Sequence, residues 1–257
     1  MEKWDSKQYL KFEQERTQPA VDLAKRIRLS HPAKIIDIGC GPGNSTHVLK
    51  NYFPESDILG IDNSNNMIKA ASEQYKDLRF MQCNAEKELG TFKSEFDIVF
   101  SNACIQWIPD HQNLLGNMFA LLKFHGIMAI QTPMNYEEPI HKIITEVTTG
   151  NEWRDKFPAQ RIFYNLTPGE YFDLFSEFPC TFTLWQTTYY HVLPSHEAIM
   201  EWYKGTGLRP YLSVLSEEDK KNFMQCIFNR IVQAYPKQKN GMVIFKFPRF
   251  FMLVEKE

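Results

Sequence analysis

The chain has 257 residues, 43% of them hydrophobic, with 29 Lys and Arg against 31 Asp and Glu and a formal net charge of −2. That apolar content suffices for one large α/β domain carrying insertions, and the near-neutral balance, with no long Lys/Arg run, excludes a phosphate-tracking nucleic-acid surface. No stretch approaches the roughly 18 consecutive apolar residues of a membrane span, and five scattered cysteines, none in a C-x-x-C pair, define neither a disulfide framework nor a zinc site.

The opening MEKWDSKQYL has neither a secretory h-region nor a transit-peptide composition. Reduced thiols and a cytoplasmic location are therefore expected. Residues 1–30 read as a helical arm, helix-compatible over 13–27, with Pro19 near a first turn and Val21, Leu23, Ala24 and Ile27 as its apolar stripe. Short apolar strands are then expected at 35–38, 58–61, 78–83, 96–101 and 126–132. Helices are expected between them at 45–53, 64–74 and 114–124, with only a short turn at 86–89. Continuous apolar strands separated by helices predict a mostly parallel sheet covered on both faces. Beyond residue 132 the pattern loosens. Residues 135–166 are aromatic and charged, a helix follows at 168–178, and a long strand at 181–192. Two or three helices span 195–235, broken at Gly205-Thr206-Gly207, and a last strand at 242–255 contains Pro248, suited to an edge, bend or bulge.

The run DIGCGPGNST at 37–46 follows the first strand and opens the next helix. Glycines alternate at Gly39, Gly41 and Gly43, where a backbone without Cβ can turn sharply and approach a ligand. Asp62 ends the second strand, the place from which a carboxylate accepts both hydroxyls of a ribose. Together they imply an adenosine-containing cofactor. The spacing is G-x-G-x-G, not the G-x-G-x-x-G of a dinucleotide fold, and no G-x-x-x-x-G-K-[ST] phosphate loop occurs. For the glycines alone, a plain strand-to-helix turn is the competing reading. Seven histidines lack metal-ligand spacing; His191 and His196 lie five apart across a Pro-Ser break, so no metal is expected.

The D-x-G-x-G-x-G form followed by Asp62 resembles the class I S-adenosylmethionine-dependent methyltransferases. Within that family, the segments GIDNSNNMIKAA, SNACIQWIPDH, WQTTYYHVLPSH and MEWYKGTGLRPYL resemble the trans-aconitate methyltransferase subfamily along nearly the whole chain. The resemblance implies a Rossmann-like, mostly parallel seven-stranded sheet with helices on both faces and an antiparallel sixth and seventh strand. It also implies a cofactor core at 31–134 and a helical cap from insertions at 135–166 and 195–241, with 167–194 and 242–257 completing the sheet as one unit. The implied reaction is O-methylation of a small polycarboxylate by S-adenosyl-L-methionine, leaving S-adenosyl-L-homocysteine, by a monomer or weak homodimer without nucleic-acid or membrane partners.

The cofactor residues implied by the resemblance are Asp37, Gly39 and Gly41 at the methionine end and Asp62 at the ribose. Asn63 and Met67 would flank the adenine, Asn84 and Ala85 would read its edge, Asn102 would lie below the sulfonium, and Trp107 would line the boundary with the acceptor. Asn84 stands where many members carry Asp, but its carbonyl still offers an acceptor. Phe124-His125-Gly126 replaces a common Pro-Gly turn. A multiply anionic acceptor calls for forked cations, and Arg209 and Arg249 are the leading candidates, with Arg16 holding either the acceptor or the cofactor carboxylate. Tyr190 and His191 are further candidates, although strand alternation sends Tyr189 and Tyr190 to opposite faces. Trp4, Tyr9 and Phe12 form either an apolar flap or simple packing. A carboxylic acid of pKa near ~4 is already ionised at neutral pH, so no catalytic base is assigned, His111 and His191 included. Alternative readings are a carrier-protein-bound or isoprenoid acid as acceptor, a nicotinamide-dependent oxidoreductase, or a non-catalytic cofactor-binding protein.

Overall fold

A computed structural model describes residues 13–157 and 159–257. Seven strands, β1 (Lys34–Ile38), β2 (Asp57–Asp62), β3 (Arg79–Gln82), β4 (Phe96–Asn102), β5 (Leu122–Pro133), β6 (Cys180–Leu193) and β7 (Val243–Lys256), form one sheet in the order β3-β2-β1-β4-β5-β7-β6. Neighbours among β1 to β5 pair in parallel, while β7 runs antiparallel to both β5 and β6. The helices are α1 (Glu13–Ala24), α2 (Asn44–Tyr52), α3 (Asn65–Gln74), α4 (His111–Ala120), α5 (Pro139–Thr149), α6 (Pro168–Ser176), α7 (His196–Lys204), α8 (Arg209–Leu212) and α9 (Glu217–Ala234).

Strand alternation gives each face of the sheet its own core. Ile36, Ile38, Val99 and Ile130 pack with α4 and α6 on one face. Ile35, Ile58, Ile98 and Phe100 pack with α1 and α2 on the other. A third cluster lies beyond the carboxyl ends of the parallel strands, where α5, α7 and α9 close on Val243, Phe245 and Phe247 of β7. The register explains how β7 reaches it. Pairing with β5 runs from Ile127↔Glu255 to Pro133↔Arg249, whereas pairing with β6 continues to Leu193↔Val243. The β6–β7 ribbon therefore overhangs the core sheet and carries the cap on its inner face. Pro248 sits where that overhang begins. Its carbonyl accepts the Met134 N–H at 3.0 Å, so its nitrogen faces the same side, beyond the paired length of β5, where a missing N–H costs no ladder bond.

Three local expectations are corrected. Helix α4 covers 111–120 instead of 114–124. Asp110 caps it by accepting the Asn113 N–H at 3.1 Å, and Leu122 is drawn into β5 opposite Phe96. Phe124-His125-Gly126 is not a turn before the strand but an excursion within it. The register passes from Phe96↔Leu122 to Ile98↔Ile127, with His125 at φ 60° and Phe124 exposed. Helix α1 ends at Ala24 instead of residue 27 and holds Pro19 in its interior, where the ring removes one helical donor. Burial of Ala20, Leu23 and Ala24 against the sheet offsets that loss.

Candidate active site

A cavity of about 560 Å³ lies over the carboxyl ends of β1, β2 and β4, beneath the cap. Its floor is the β1–α2 turn. Gly39 and Gly41 stand at φ 76° and 54°, in the left-handed region that favours glycine. A Cβ on Gly39 would fall 2.2 Å from Cys104 Sγ, so the bare backbone lets the β4–α4 loop pack on the turn. A Cβ on Gly41 would meet nothing within 4 Å and would project into the opening, a place a ligand can approach.

Asp62, at the tip of β2, organises this floor. Its Oδ2 accepts the Gly41 N–H at 3.0 Å and its Oδ1 the Ser64 N–H at 2.8 Å, while burial raises its pKa against both hydrogen bonds. Asn63, Met67 and Ala85 line the same end. Asn84 also lines it, but its side-chain carbonyl accepts the Glu86 N–H at 3.0 Å and so shapes the loop as much as it reads a ligand. Asn102 lines the cavity from the end of β4, and its buried Oδ1 has no hydrogen-bond partner among the described residues. A buried amide oxygen left that way is costly unless a ligand donor meets it. Trp107 lines the middle of the cavity.

Asp37 differs from expectation: it is fully buried under the turn and outside the lining. Its Oδ2 accepts hydrogen bonds from Ser45 Oγ at 2.6 Å and Thr46 Oγ1 at 2.7 Å, and burial lifts its pKa from 3.8 to about 6. It reaches the cavity only through Ser45, which does line it.

The cap half of the cavity is cationic. Arg16, Arg161, Arg209 and Arg249 all line it, whereas Asp62 and Glu86, the only acids in the lining among the described residues, belong to the opposite end. Arg16 donates to the Trp202 carbonyl at 3.3 Å, and Arg249, 4% exposed, lies 4.2 Å from the Phe247 ring centroid with Gln131 Oε1 at 3.5 Å. Arg16, Arg209 and Arg249, the three arginines singled out in the sequence, thus line one cavity.

Tyr190 does not. It stands opposite Lys246, and cross-strand partners share a face. That face is the outer one, leaving Tyr190 59% exposed and away from the cavity. Tyr189 points the other way and donates to Asp22 Oδ2 at 2.6 Å, tying β6 to α1. His191 faces inward but stops one layer behind the wall, 5.0 Å from the Trp202 ring centroid and beside Phe245 and Phe247. Burial and then the Arg249 charge lower its pKa to about 4. His111 bridges Ile105 O at 2.9 Å and the Tyr171 hydroxyl at 2.8 Å, a buried tie between loop and α6. Trp4, Tyr9 and Phe12 lie outside the described residues.

Three polar lining residues of the cap stand out among those that the sequence reading did not single out. Arg161, His141 and Tyr203 sit in the cap insertions, where no fixed spacing marks them; an arginine two residues from Phe163 was the available signal for the first. Tyr203 Oη lies 2.9 Å from His141 Nε2, and Asn135 Nδ2 donates to that hydroxyl at 3.4 Å. Burial first, and Arg161 second, lower the His141 pKa to about 4, so its imidazole is neutral at pH 7 and shares a hydrogen bond with the tyrosine hydroxyl.

Six strands running one way with β7 reversed between β5 and β6, and a cap roofing the glycine turn, define the class I methyltransferase architecture. The methyltransferase domain family matches residues 29–195. The chain is 38% identical to a trans-aconitate 2-methyltransferase of Enterobacter sp. (strain 638), over 100% of both chains. Among solved structures it resembles the YcgJ protein of Bacillus subtilis (TM-score 0.62, 16% identity, 93% of this chain and 99% of that one). It also resembles a Haemonchus contortus phosphoethanolamine N-methyltransferase 2 in complex with S-adenosyl-L-methionine (TM-score 0.56, 16% identity, 93% and 53%). The chain belongs to the trans-aconitate 2-methyltransferase family.

Proposed function

We propose that the protein esterifies one carboxylate of a small polycarboxylic acid, trans-aconitate, with a methyl group from S-adenosylmethionine. The observation that carries this reading is the sorting of charge along the cavity: among the described residues, two acids at the glycine-turn end and four arginines at the cap end. Arginine presents a planar fork matched to a carboxylate, and several converging arginines suit an acceptor with several carboxylates.

The cofactor's sulfonium supplies a methyl group activated by positive charge. The open approach at Gly41, the Asp62 carboxylate and the buried Asn102 oxygen fit such a ligand at the floor. The protein's contribution is placement. An ionised carboxylate needs no deprotonation, and His141, the histidine in the lining, is held neutral and engaged by Tyr203. Arginines fix the acceptor's non-reacting carboxylates, and the apolar walls of Trp107, Trp202 and Phe247 exclude water. Orientation of this kind supplies roughly 7–11 kcal/mol of barrier reduction.

The test is incubation with S-adenosylmethionine and, separately, trans-aconitate, citrate and a monocarboxylate, with product detection by mass spectrometry. Trans-aconitate should yield a methyl ester together with S-adenosylhomocysteine. Absence of both products with every polycarboxylate would falsify the proposal.

A further inference from the structure

Arg161 stands in a distinctive place. Its guanidinium carbon lies 4.1 Å from the ring centroid of Trp107 and 5.3 Å from that of Phe163, and Nη1 donates to the Thr206 carbonyl. Arg161, His141, Phe163 and Gly207 line both the main cavity and a smaller one of about 90 Å³ beside it, which Tyr136 and Tyr211 complete. The cation is therefore set in the wall between the two spaces. A guanidinium that stacks on rings uses its flat faces for the stack and keeps its N–H donors in the plane, directed past the rings. Stacking also fixes the plane, so a carboxylate arriving edge-on meets a fork that is already oriented. The partner Trp107 follows β4, whose last residue, Asn102, lines the donor half, which places this fork next to the reaction end of the acceptor space. The neighbouring His141 is neutral and offers no competing charge.

We propose that Arg161 is a specificity-determining residue, gripping a non-reacting carboxylate of the acceptor at the wall between the two cavities. The inference rests on the polycarboxylate reading above. It assigns to Arg161 the discrimination between acceptors that differ by one carboxylate. The alternative role is architectural: pinning the segment before α6 to the Gly205–Gly207 turn through the Thr206 carbonyl.

The two roles separate on paired acceptors. Mesaconate and cis-glutaconate each lack one carboxylate of trans-aconitate and keep its double-bond geometry. For wild type, Arg161→Gln and Arg161→Lys, the measurements are kcat/KM for all three acids and, by calorimetry on the S-adenosylhomocysteine complex, the dissociation constant of each acid. Loss of a charge-assisted fork should weaken trans-aconitate binding by about 10- to 100-fold in Arg161→Gln. The preference for trans-aconitate over the dicarboxylate missing the gripped group should collapse, and Arg161→Lys should recover part of it. An architectural role lowers all three acids together and leaves the preference intact, which overturns the assignment. If neither dicarboxylate is turned over, the calorimetric comparison decides in the same way. Wild type that neither binds nor methylates trans-aconitate removes the polycarboxylate reading itself. Normal wild-type behaviour with an unmoved preference in the variant removes Arg161 alone.

Discussion

Asp62 holds the glycine turn by accepting two backbone N–H groups, and it borders the cavity as well. Asp62→Asn keeps the shape but forfeits the charge, and affinity for S-adenosylhomocysteine should fall by about 10- to 100-fold by calorimetry. Gly39→Ala meets Cys104 Sγ at 2.2 Å from a left-handed backbone, and a stability loss of at least about 1–3 kcal/mol should appear in chemical denaturation. Asp37 leaves a signature in pH. Its folded pKa, about 6 against 3.8 unfolded, means the folded chain binds the proton more tightly. The associated stability is present below the unfolded value and is lost as pH rises through about 6, a swing of about 3 kcal/mol. In Asp37→Asn the stability curve between those values should be flatter. Turnover itself should be level from about pH 6.5 to 9, because an acceptor of pKa near ~4 is ionised throughout. A rise in kcat through neutrality would reveal a base that the site does not offer.

At the scale of elements, the β6–β7 overhang links the sheet to the cap half of the cavity. Phe245 is fully buried, with ring centroids 5.6 Å from Trp202 and 6.0 Å from Tyr203. Phe245→Ala should cost about 3–5 kcal/mol. It should also raise the acceptor KM more than the cofactor KM, since Trp202 and Tyr203 line the cap side. Strands β1, β2 and β4 were legible because each is a short, largely apolar run between turn residues, and the cavity floor because glycines and Asp62 occur at fixed spacing. The cap was harder to read. His141, Arg161 and Tyr203 come from three separate segments, and only packing of α5 and α7 with the segment before α6 brings them together. Tyr190 shows how narrowly such a reading can fail. Alternation correctly separated it from Tyr189, but which face turns inward is set by Phe245 and Phe247 on the partner strand, more than fifty residues away in sequence. Likewise, pairing of Leu122 with Phe96 overrode the helical pattern at 121–124.

For the whole molecule, floor and roof belong to different parts of the chain, and a ligand that touches both should bind them together. S-adenosylhomocysteine at one hundred times its dissociation constant should stabilise the fold by about 2.7 kcal/mol, visible as a raised Tm. Trans-aconitate should add a further increment, whereas NAD should give none, because no G-x-G-x-x-G turn is present to take its pyrophosphate. A shift with NAD equal to that with S-adenosylhomocysteine would contradict the assignment of the floor.

The insertion of β7 between β5 and β6 also has a consequence for biogenesis. A nascent chain leaving the ribosome has β1 to β5 in hand while β6 and β7 are still unmade, and β5 lacks its neighbour and β6 has nothing to pair with until residues 243–256 emerge. Arg249 and Phe247, which complete the pocket wall, arrive in that same stretch. Synthesis therefore passes through a long interval with an open sheet flank, a target for holding chaperones. Catalytic competence comes only once that stretch has emerged and paired.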